Sequence, residues 1–160
     1  MNNDSMAQSC QCECGDTRFS IVGEPLTRVI CHCTICQEFN QADFGDVTIF
    51  SSKDVNIDNI ESIDFKEYKA PPAVQRGKCS TCNKPAIELL DLPLLPNLTI
   101  VPTRNIPSES QLPEPDSHIF YHSRKHDVED AIPKYSGFLK SQLALLFKLM
   151  SGMFKAKLNS

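Results

Sequence analysis

The sequence has no tryptophan, no apolar run long enough for a membrane span and no excess of basic residues. Its most apolar stretch, residues 143–154, is interrupted by Lys148 and by the pair Ser151-Gly152, and it is too short to cross a bilayer. Lysine and arginine number 16 against 20 aspartates and glutamates, so the net charge is −4. Because proteins that bind DNA or RNA need a basic face, we expect no nucleic-acid partner.

Residues 1–8 form a polar tail without the apolar run of a secretory signal peptide, which favours a cytoplasmic protein. The chain nevertheless has eight cysteines. In a reducing compartment disulfides are disfavoured, and clustered cysteines more often bind metal or carry out thiol chemistry. The clusters are Cys10, Cys12 and Cys14; Cys31, Cys33 and Cys36; and Cys79 and Cys82. We therefore expect bound zinc in place of disulfides.

Short β-rich runs separated by proline, glycine, asparagine and aspartate predict a mainly-β domain. In residues 17–22, Phe19 and Ile21 alternate with polar residues, as in a half-buried strand. Residues 28–30 are predicted to form a short strand that delivers Cys31. Further strands are predicted at residues 47–50, 63–68, 74–78, 86–90, 98–101 and 119–121.

The last 25 residues, 136–160, differ from the rest because they contain four lysines and no acid, which leaves −8 on the remainder. Apolar residues recur there at helical spacing and predict an amphipathic helix over residues 137–157, with Lys140, Lys148 and Lys155 on the opposite side. The apolar positions are Leu139, Leu143, Leu146, Phe147, Met150, Met153 and Phe154. We expect this helix to dock on its own domain or on a partner subunit, as in a homodimer. Contact with an anionic membrane surface is a less favoured alternative, and a disordered tail is another.

Two cysteine pairs predict a structural zinc site, because zinc favours four tetrahedral ligands and thiolates suit it well. Cys79 and Cys82 flank a short turn, and the following Asn83 tolerates the left-handed conformation that such a turn requires. Cys12 and Cys14 form a comparable pair, followed by a glycine. Together the two pairs make a closed four-thiolate site that ties the N-terminal region to the middle of the chain.

The segment that contains Cys31, Cys33 and Cys36 differs, since three thiolates fall within six residues and no fourth cysteine pairs obviously with them. Three protein ligands and an open position are typical of a reactive zinc site. Such a zinc can bind an incoming thiol and hold it as a thiolate. Alternatively, Cys10 or a histidine completes the site and makes it structural.

Three linked motifs carry a family resemblance: CECG at residues 12–15, CHCTIC at 31–36 and CSTC at 79–82. Their order and relative positions resemble the glutathione-dependent formaldehyde-activating enzyme family, which also includes centromere protein V. Residues 118–120 and 130–133 also resemble the end of the family domain. The resemblance therefore covers residues 9–135.

This resemblance implies the family's mainly-β "β-tent" fold over residues 9–135, followed by an added C-terminal helix in residues 136–160. It implies two zinc ions per chain as cofactors. The structural ligands would be Cys12, Cys14, Cys79 and Cys82, and the catalytic zinc ligands would be Cys31, Cys33 and Cys36. The implied enzyme is a carbon–sulfur lyase, similar to S-(hydroxymethyl)glutathione synthase. Its partner would be a small thiol such as glutathione, or the formaldehyde adduct of that thiol.

The chain departs from the family pattern in three places. Asn83 stands where the family usually has glycine. Residues 101–107 read VPTRNIP, where the family frequently has a G-T-L-D type segment. No tryptophan occurs near residue 125, where the family commonly has one. The last two changes concern the expected substrate pocket and not the metal ligands.

Other polar residues have less specific interpretations. His32 lies between two expected ligands, so we expect its side chain to point away from the metal. Arg76 and Lys78 are interpreted as a solvated strand face, with contact to a substrate carboxylate as the alternative. We expect His118, His122 and His126 to lie at exposed or edge positions. For His118, a role in a pocket is the alternative.

Two rival functions follow from the same residues. The chain could be a non-enzymatic zinc scaffold or protein-interaction domain, in which the second zinc site is closed. A weaker rival is a thiol redox sensor that uses Cys10 or Cys36, although a free thiol without such a role is the simpler expectation for Cys10.

Overall fold

The structure is a computed structural model that describes residues 6–69 and 74–160, so residues 1–5 of the predicted polar tail lie outside the described residues. The described part is mainly β with a C-terminal helix, as the sequence predicts. Its strands and helices are, in chain order, β1 (Gln8–Gln11), β2 (Arg18–Ile21), β3 (Thr27–Cys31), α1 (Thr34–Asn40), β4 (Gly45–Ser51), β5 (Val55–Ile57), β6 (Ile63–Glu67), β7 (Val74–Cys79), β8 (Pro85–Leu90), β9 (Leu98–Pro102), β10 (Ser117–Ile119) and α2 (Phe138–Asn159).

The chain divides into two compact units that interleave in sequence. The first unit takes in the described residues of 1–24 and 50–111, and the second takes in residues 25–49 and 112–160. In the first unit β2 lies between β1 and β5, and strands β6 to β9 follow one another as antiparallel neighbours. In β2 the buried Phe19 and Ile21 alternate with Arg18 and Ser20, which gives the predicted half-buried strand.

In the second unit β3 is the central strand. It pairs in parallel with β10 and antiparallel with β4, and Cys31 faces Gly45 across the latter pair. The side chains of Thr27, Val29 and Cys31 alternate inward along β3. The strand therefore ends by placing a cysteine beside the start of α1.

Most predicted strands are confirmed, but the one at residues 119–121 is wrong. Strand β10 ends at Ile119 because Phe120 adopts a left-handed backbone with φ of 53°, and residues 121–123 form a short 3-10 turn. Strands β1 and β5 and helix α1 were not predicted. Helix α1 has seven residues, which is too few to show a helical period.

Helix α2 begins at Phe138 and ends at Asn159, which confirms the predicted helix. It packs on β10 and β3 of its own unit through a narrow strip that includes the buried Ser141 and Leu149. The backbone N–H of Phe120 donates to the Ser141 hydroxyl at 2.8 Å. The predicted apolar face does not form this contact. Its large side chains are exposed: Leu139, Leu143, Leu146, Phe147, Met150 and Phe154.

Among the described residues, no helix combines the length and the apolar character needed to cross a membrane.

Gly152 sets how closely α2 approaches β3, because a Cβ built there would lie 2.2 Å from the backbone oxygen of Leu26. Alanine favours helix over glycine by about 1 kcal/mol, yet a clash with backbone atoms typically costs about 1–3 kcal/mol. We therefore expect Gly152→Ala to lower the free energy of unfolding, measured by urea denaturation. Ser151→Ala, at the exposed neighbouring position, is the matched control and should be neutral or slightly stabilising. Equal stability of the two variants would show that the close approach is unimportant.

Candidate metal centres

The first unit brings together the sulfurs of Cys12, Cys14, Cys79 and Cys82, which all lie within 4.8 Å of one another. The Sγ atoms of Cys12 and Cys14 are 3.6 Å apart, and those of Cys14 and Cys79 are 3.8 Å apart. A tetrahedral zinc with bonds of about 2.3 Å requires sulfurs separated by about 3.8 Å. A disulfide would require about 2.05 Å, and none of the eight cysteines forms a disulfide. The donor set and its spacing therefore fit one zinc ion.

Two tight turns position these sulfurs. The amide of Gly15 donates to the carbonyl of Cys12, and that of Asn83 donates to the carbonyl of Cys79. Gly15 has φ of 81° and Asn83 has φ of 56°, so each turn uses the left-handed backbone that the sequence predicts there. The backbone N–H of Thr17 also donates to Cys12 Sγ at 3.3 Å.

Hydrogen bonds to sulfur prepare this cluster for a cation. Burial raises the pKa of the Cys79 thiol, but hydrogen bonds from the Thr17 side chain and from the backbone of Cys82 and Thr81 outweigh burial and lower the pKa to about 6. The amide of Asp16 favours the Cys14 thiolate, yet burial and the neighbouring sulfurs raise the pKa of Cys14 to about 12. The four sulfurs are therefore not all ionised unless a cation compensates their charge.

The second unit brings together the sulfurs of Cys31, Cys33 and Cys36, again within 4.8 Å of one another. Cys31 is the last residue of β3, Cys33 is the N-cap of α1, and Cys36 lies within that helix. Cys33 Sγ accepts a hydrogen bond from the Cys36 amide at 3.3 Å. Across residues 6–69 and 74–160, no fourth cysteine, histidine or acidic side chain joins the cluster. Neither Cys10 nor a histidine closes it.

The surroundings of this cluster favour neutral sulfur unless a metal is present. Hydrogen bonds with Cys31 and Cys33, together with burial, raise the pKa of Cys36 well above its usual value. Cys31 and Cys36 are buried, whereas Cys33 is half-buried. Three sulfurs suit zinc, copper(I) or an iron–sulfur group in softness, and three ligands leave tetrahedral zinc one open position.

His32 does not join the cluster of three sulfurs and instead begins a chain of polar groups that runs through the buried His118 to the exposed Asp130. Its Nε2 lies 2.9 Å from His118 Nδ1, and His118 Nε2 lies 2.9 Å from a carboxylate oxygen of Asp130. The side chain of Gln37 donates to the carbonyl of His32 at 2.7 Å. Burial, followed by the charges of His118 and Arg124, lowers the pKa of His32 to about 4. This chain fixes the peptide between Cys31 and Cys33.

His118 lies on the edge strand β10, which is one of the two expected positions, but it is not exposed, since its side chain is 1% exposed. The segment at residues 133–135 runs beside β10 and covers it, since the amide of His118 donates to the carbonyl of Pro133. His122 and His126 are exposed, as expected. The role of Asp130 was missed, although residues 130–133 were singled out for the family resemblance.

The surroundings of three further candidates bear on their interpretation. Burial raises the pKa of Cys10 to about 11, and its side chain is 3% exposed, so the thiolate that oxidants attack is scarce at neutral pH. Arg76 forms an ion pair with the buried Glu88, so it is not part of a solvated face. Its charge is already matched, which argues against its binding a substrate carboxylate. Lys78 is half-buried on the same strand.

Comparison with solved structures identifies a similar fold in a Rhodobacter sphaeroides protein, a crystal structure from the Northeast Structural Genomics programme. The TM-score is 0.50 at 14% sequence identity, and the match covers 64% of this chain and 91% of that one. Among curated proteins, none matches this sequence.

A family model described as "Glutathione-dependent formaldehyde-activating enzyme" matches residues 7–123. The match includes all three cysteine motifs and both clusters of sulfurs. It ends before residues 124–135, which the sequence resemblance had included. Because the match covers well over half of the chain, this protein belongs to the glutathione-dependent formaldehyde-activating enzyme (GFA) family.

Proposed function

We propose that the protein is a zinc-dependent carbon–sulfur lyase of the glutathione-dependent formaldehyde-activating type, acting on a small thiol or on its aldehyde adduct. The observation that carries the proposal is the cluster of Cys31, Cys33 and Cys36, which offers three sulfurs and no fourth protein ligand among the described residues. The four-sulfur cluster in the other unit offers a complete set for a structural ion. This contrast is typical of a chain with one closed and one open zinc site.

The proposed reaction is the reversible addition of a thiol to formaldehyde. A bond forms between the thiol sulfur and the carbonyl carbon, the π electron pair of the carbonyl moves to oxygen, and the proton lost by the thiol ends on that oxygen. The reverse reaction breaks the same carbon–sulfur bond and returns the proton. Zinc, when bound, would supply the positive charge that favours the thiolate form of the substrate at neutral pH.

The protein's own residues hold and shield the reacting region. The half-buried Cys33 marks the side from which a thiol enters, while Cys31 and Cys36 are fixed by β3 and α1. The rings of Phe44 and Tyr121 lie 5.6 and 5.2 Å from the His32 ring and form an apolar wall against it. His32 is 1% exposed, and the polar chain behind it holds the peptide between Cys31 and Cys33 in place.

The proposal predicts that a small thiol binds directly at the second cluster. In protein loaded with cobalt(II), thiolate ligands give a charge-transfer absorption that grows with each added thiolate. Glutathione, or another member of a panel with cysteine and 2-mercaptoethanol, should increase this absorption, and formaldehyde added afterwards should change it again. An NMR exchange measurement on zinc-loaded protein should show faster interconversion of thiol and hydroxymethyl adduct than in buffer.

Cys33→Ser is the control for this experiment, because it removes one of the three sulfurs and leaves the other cluster untouched. It should abolish the response to thiol. If no thiol in the panel changes the cobalt spectrum of the unmodified protein, the lyase proposal is wrong, and the non-enzymatic zinc scaffold is the better description.

A further inference from the structure

Helix α2 presents an apolar surface that residues 6–69 and 74–160 leave uncovered. We call this surface the outer face of α2. The residues of this face have exposed fractions of 42% to 71% and recur at spacings of three and four along the helix. They are Leu139, Leu143, Leu146, Phe147, Met150 and Phe154. Contiguous apolar patches of this kind mark interaction sites, whereas single exposed leucines are ordinary.

The opposite side of α2 is fixed to the second unit. Ser141 and Leu149 are buried there, the Ser141 hydroxyl donates to the carbonyl of Tyr135 at 3.2 Å, and Gly152 lies against the backbone of Leu26. The Lys148 Nζ atom lies 3.6 Å from the Asp116 Oδ1 atom within the same unit. Rotating the helix to bury the outer face would break these contacts. The outer face is therefore held outward by the packing of the helix.

The charges beside the outer face are of one sign. Lys140, Lys155 and Lys157 are exposed, and no acidic residue occurs between residues 136 and 160. If a second copy of this helix packed on the outer face, lysines would face lysines, without the acidic partners that paired helices use at their edges. Anionic headgroups, by contrast, match both the lysines and the adjoining leucine and phenylalanine side chains.

We propose that the outer face of α2 binds the surface of an anionic membrane. The helix would lie in the plane of the interface, with its leucine and phenylalanine side chains among the acyl chains and its lysines at the phosphate level. The remainder of the protein carries −8 and is repelled by such a surface. At physiological salt, electrostatic interactions are screened beyond about 8–10 Å. The attraction between the lysines and the headgroups therefore outweighs the repulsion of the acidic remainder only when the helix faces the bilayer.

The test uses the full-length, zinc-loaded protein in co-sedimentation with vesicles. One set contains phosphatidylcholine alone, and the other contains phosphatidylcholine mixed with phosphatidylserine. We expect binding to the anionic vesicles that weakens with added salt, and much weaker binding to the neutral ones. Leu143→Gln with Phe147→Gln should weaken binding about tenfold or more. The double variant removes two apolar side chains that the bilayer would bury, while helix propensity is kept. Lys155→Gln should weaken it about fivefold.

The matched control is Leu94→Gln with Leu95→Gln, which removes two exposed leucines that are not part of α2 and should leave binding unchanged. Zinc content and helical circular dichroism must be the same in every variant. Three results would overturn the proposal: no binding to anionic vesicles, equal binding by the helix and control variants, or a dimer in light scattering that the helix variant converts to monomer. The last result would assign the outer face to a second copy of the chain.

Discussion

Replacing Cys79 by serine is expected to leave the protein unfolded or insoluble. Cys79 is 1% exposed, ends strand β7, and is one of four sulfurs in the closed cluster. A serine hydroxyl is a poor zinc ligand, so the variant loses the ion as well as a thiol. Structural zinc contributes about 10–16 kcal/mol in zinc-finger peptides, which is comparable to the whole stability of an ordinary domain, about 5–15 kcal/mol.

The measurement is the soluble yield together with the cooperativity of thermal unfolding, followed by circular dichroism. Cys10→Ala is the matched control, since Cys10 is also buried but belongs to neither cluster. The control should stay soluble, retain its metal and lose only about 1 kcal/mol of stability. If Cys79→Ser unfolds as cooperatively as the control, the four-sulfur cluster is not a structural zinc site.

Cys33→Ser is expected to have the opposite character, with a preserved fold and a lost activity. Cys33 caps helix α1 by accepting a hydrogen bond from the Cys36 amide, and serine is among the preferred N-cap residues. The helix should therefore keep its cap. The metal at the second cluster loses one of three protein ligands, and the proposed lyase activity should fall about a hundredfold or more because several kcal/mol of charge stabilisation disappear.

The corresponding measurements are native mass spectrometry, circular dichroism and the exchange assay. The unmodified protein should carry two zinc ions per chain, and Cys33→Ser should carry one, with an unchanged spectrum. Cys33→Ala separates the two roles of the residue, because it removes the cap as well as the ligand and should cost about 1 kcal/mol more stability than serine. Collapse of Cys33→Ser to the extent expected for Cys79→Ser would instead indicate that both clusters are structural.

The cysteine clusters could be predicted because their information is local. Cys79 and Cys82 share one turn, and Asn83 supplies the left-handed residue that the turn needs. Likewise, the spacing of Cys31, Cys33 and Cys36 places three sulfurs in one short segment. Pairing the two distant turns into one site relied on the four-ligand requirement of zinc, and the structure places those four sulfurs together.

The chain of polar groups behind His32 could not be predicted in the same way. His118 and Asp130 reach His32 only because β10 pairs in parallel with β3 and because residues 133–135 lie beside β10. Nothing in the spacing of these residues encodes that pairing. A histidine in a short apolar strand has the same pattern whether the strand is covered or open, so the sequence indicates the edge position of His118 but not its burial.

The exposure of the outer face of α2 could not be predicted from the sequence for a different reason. The periodicity of leucine and methionine identifies the helix, and it suggests that the most apolar side is buried. The actual contact depends on Ser141 and Gly152, which are small enough to let the backbone approach closely. Hydrophobicity alone gives no weight to such residues.

The two clusters also differ in the length of chain that each must close, and this predicts the order in which they would take up metal during folding. Cys14 and Cys79 are 65 residues apart, whereas Cys31 and Cys36 are 5 apart. The entropic cost of closing the longer segment is about 2 kcal/mol greater, and most of that chain must be synthesised before the site exists. The CHCTIC segment can bind an ion while the chain is still unfolded. An ion that binds the unfolded chain as well stabilises the native state less, so an ion at the shorter segment would contribute less to folding, which suits the proposed lyase role.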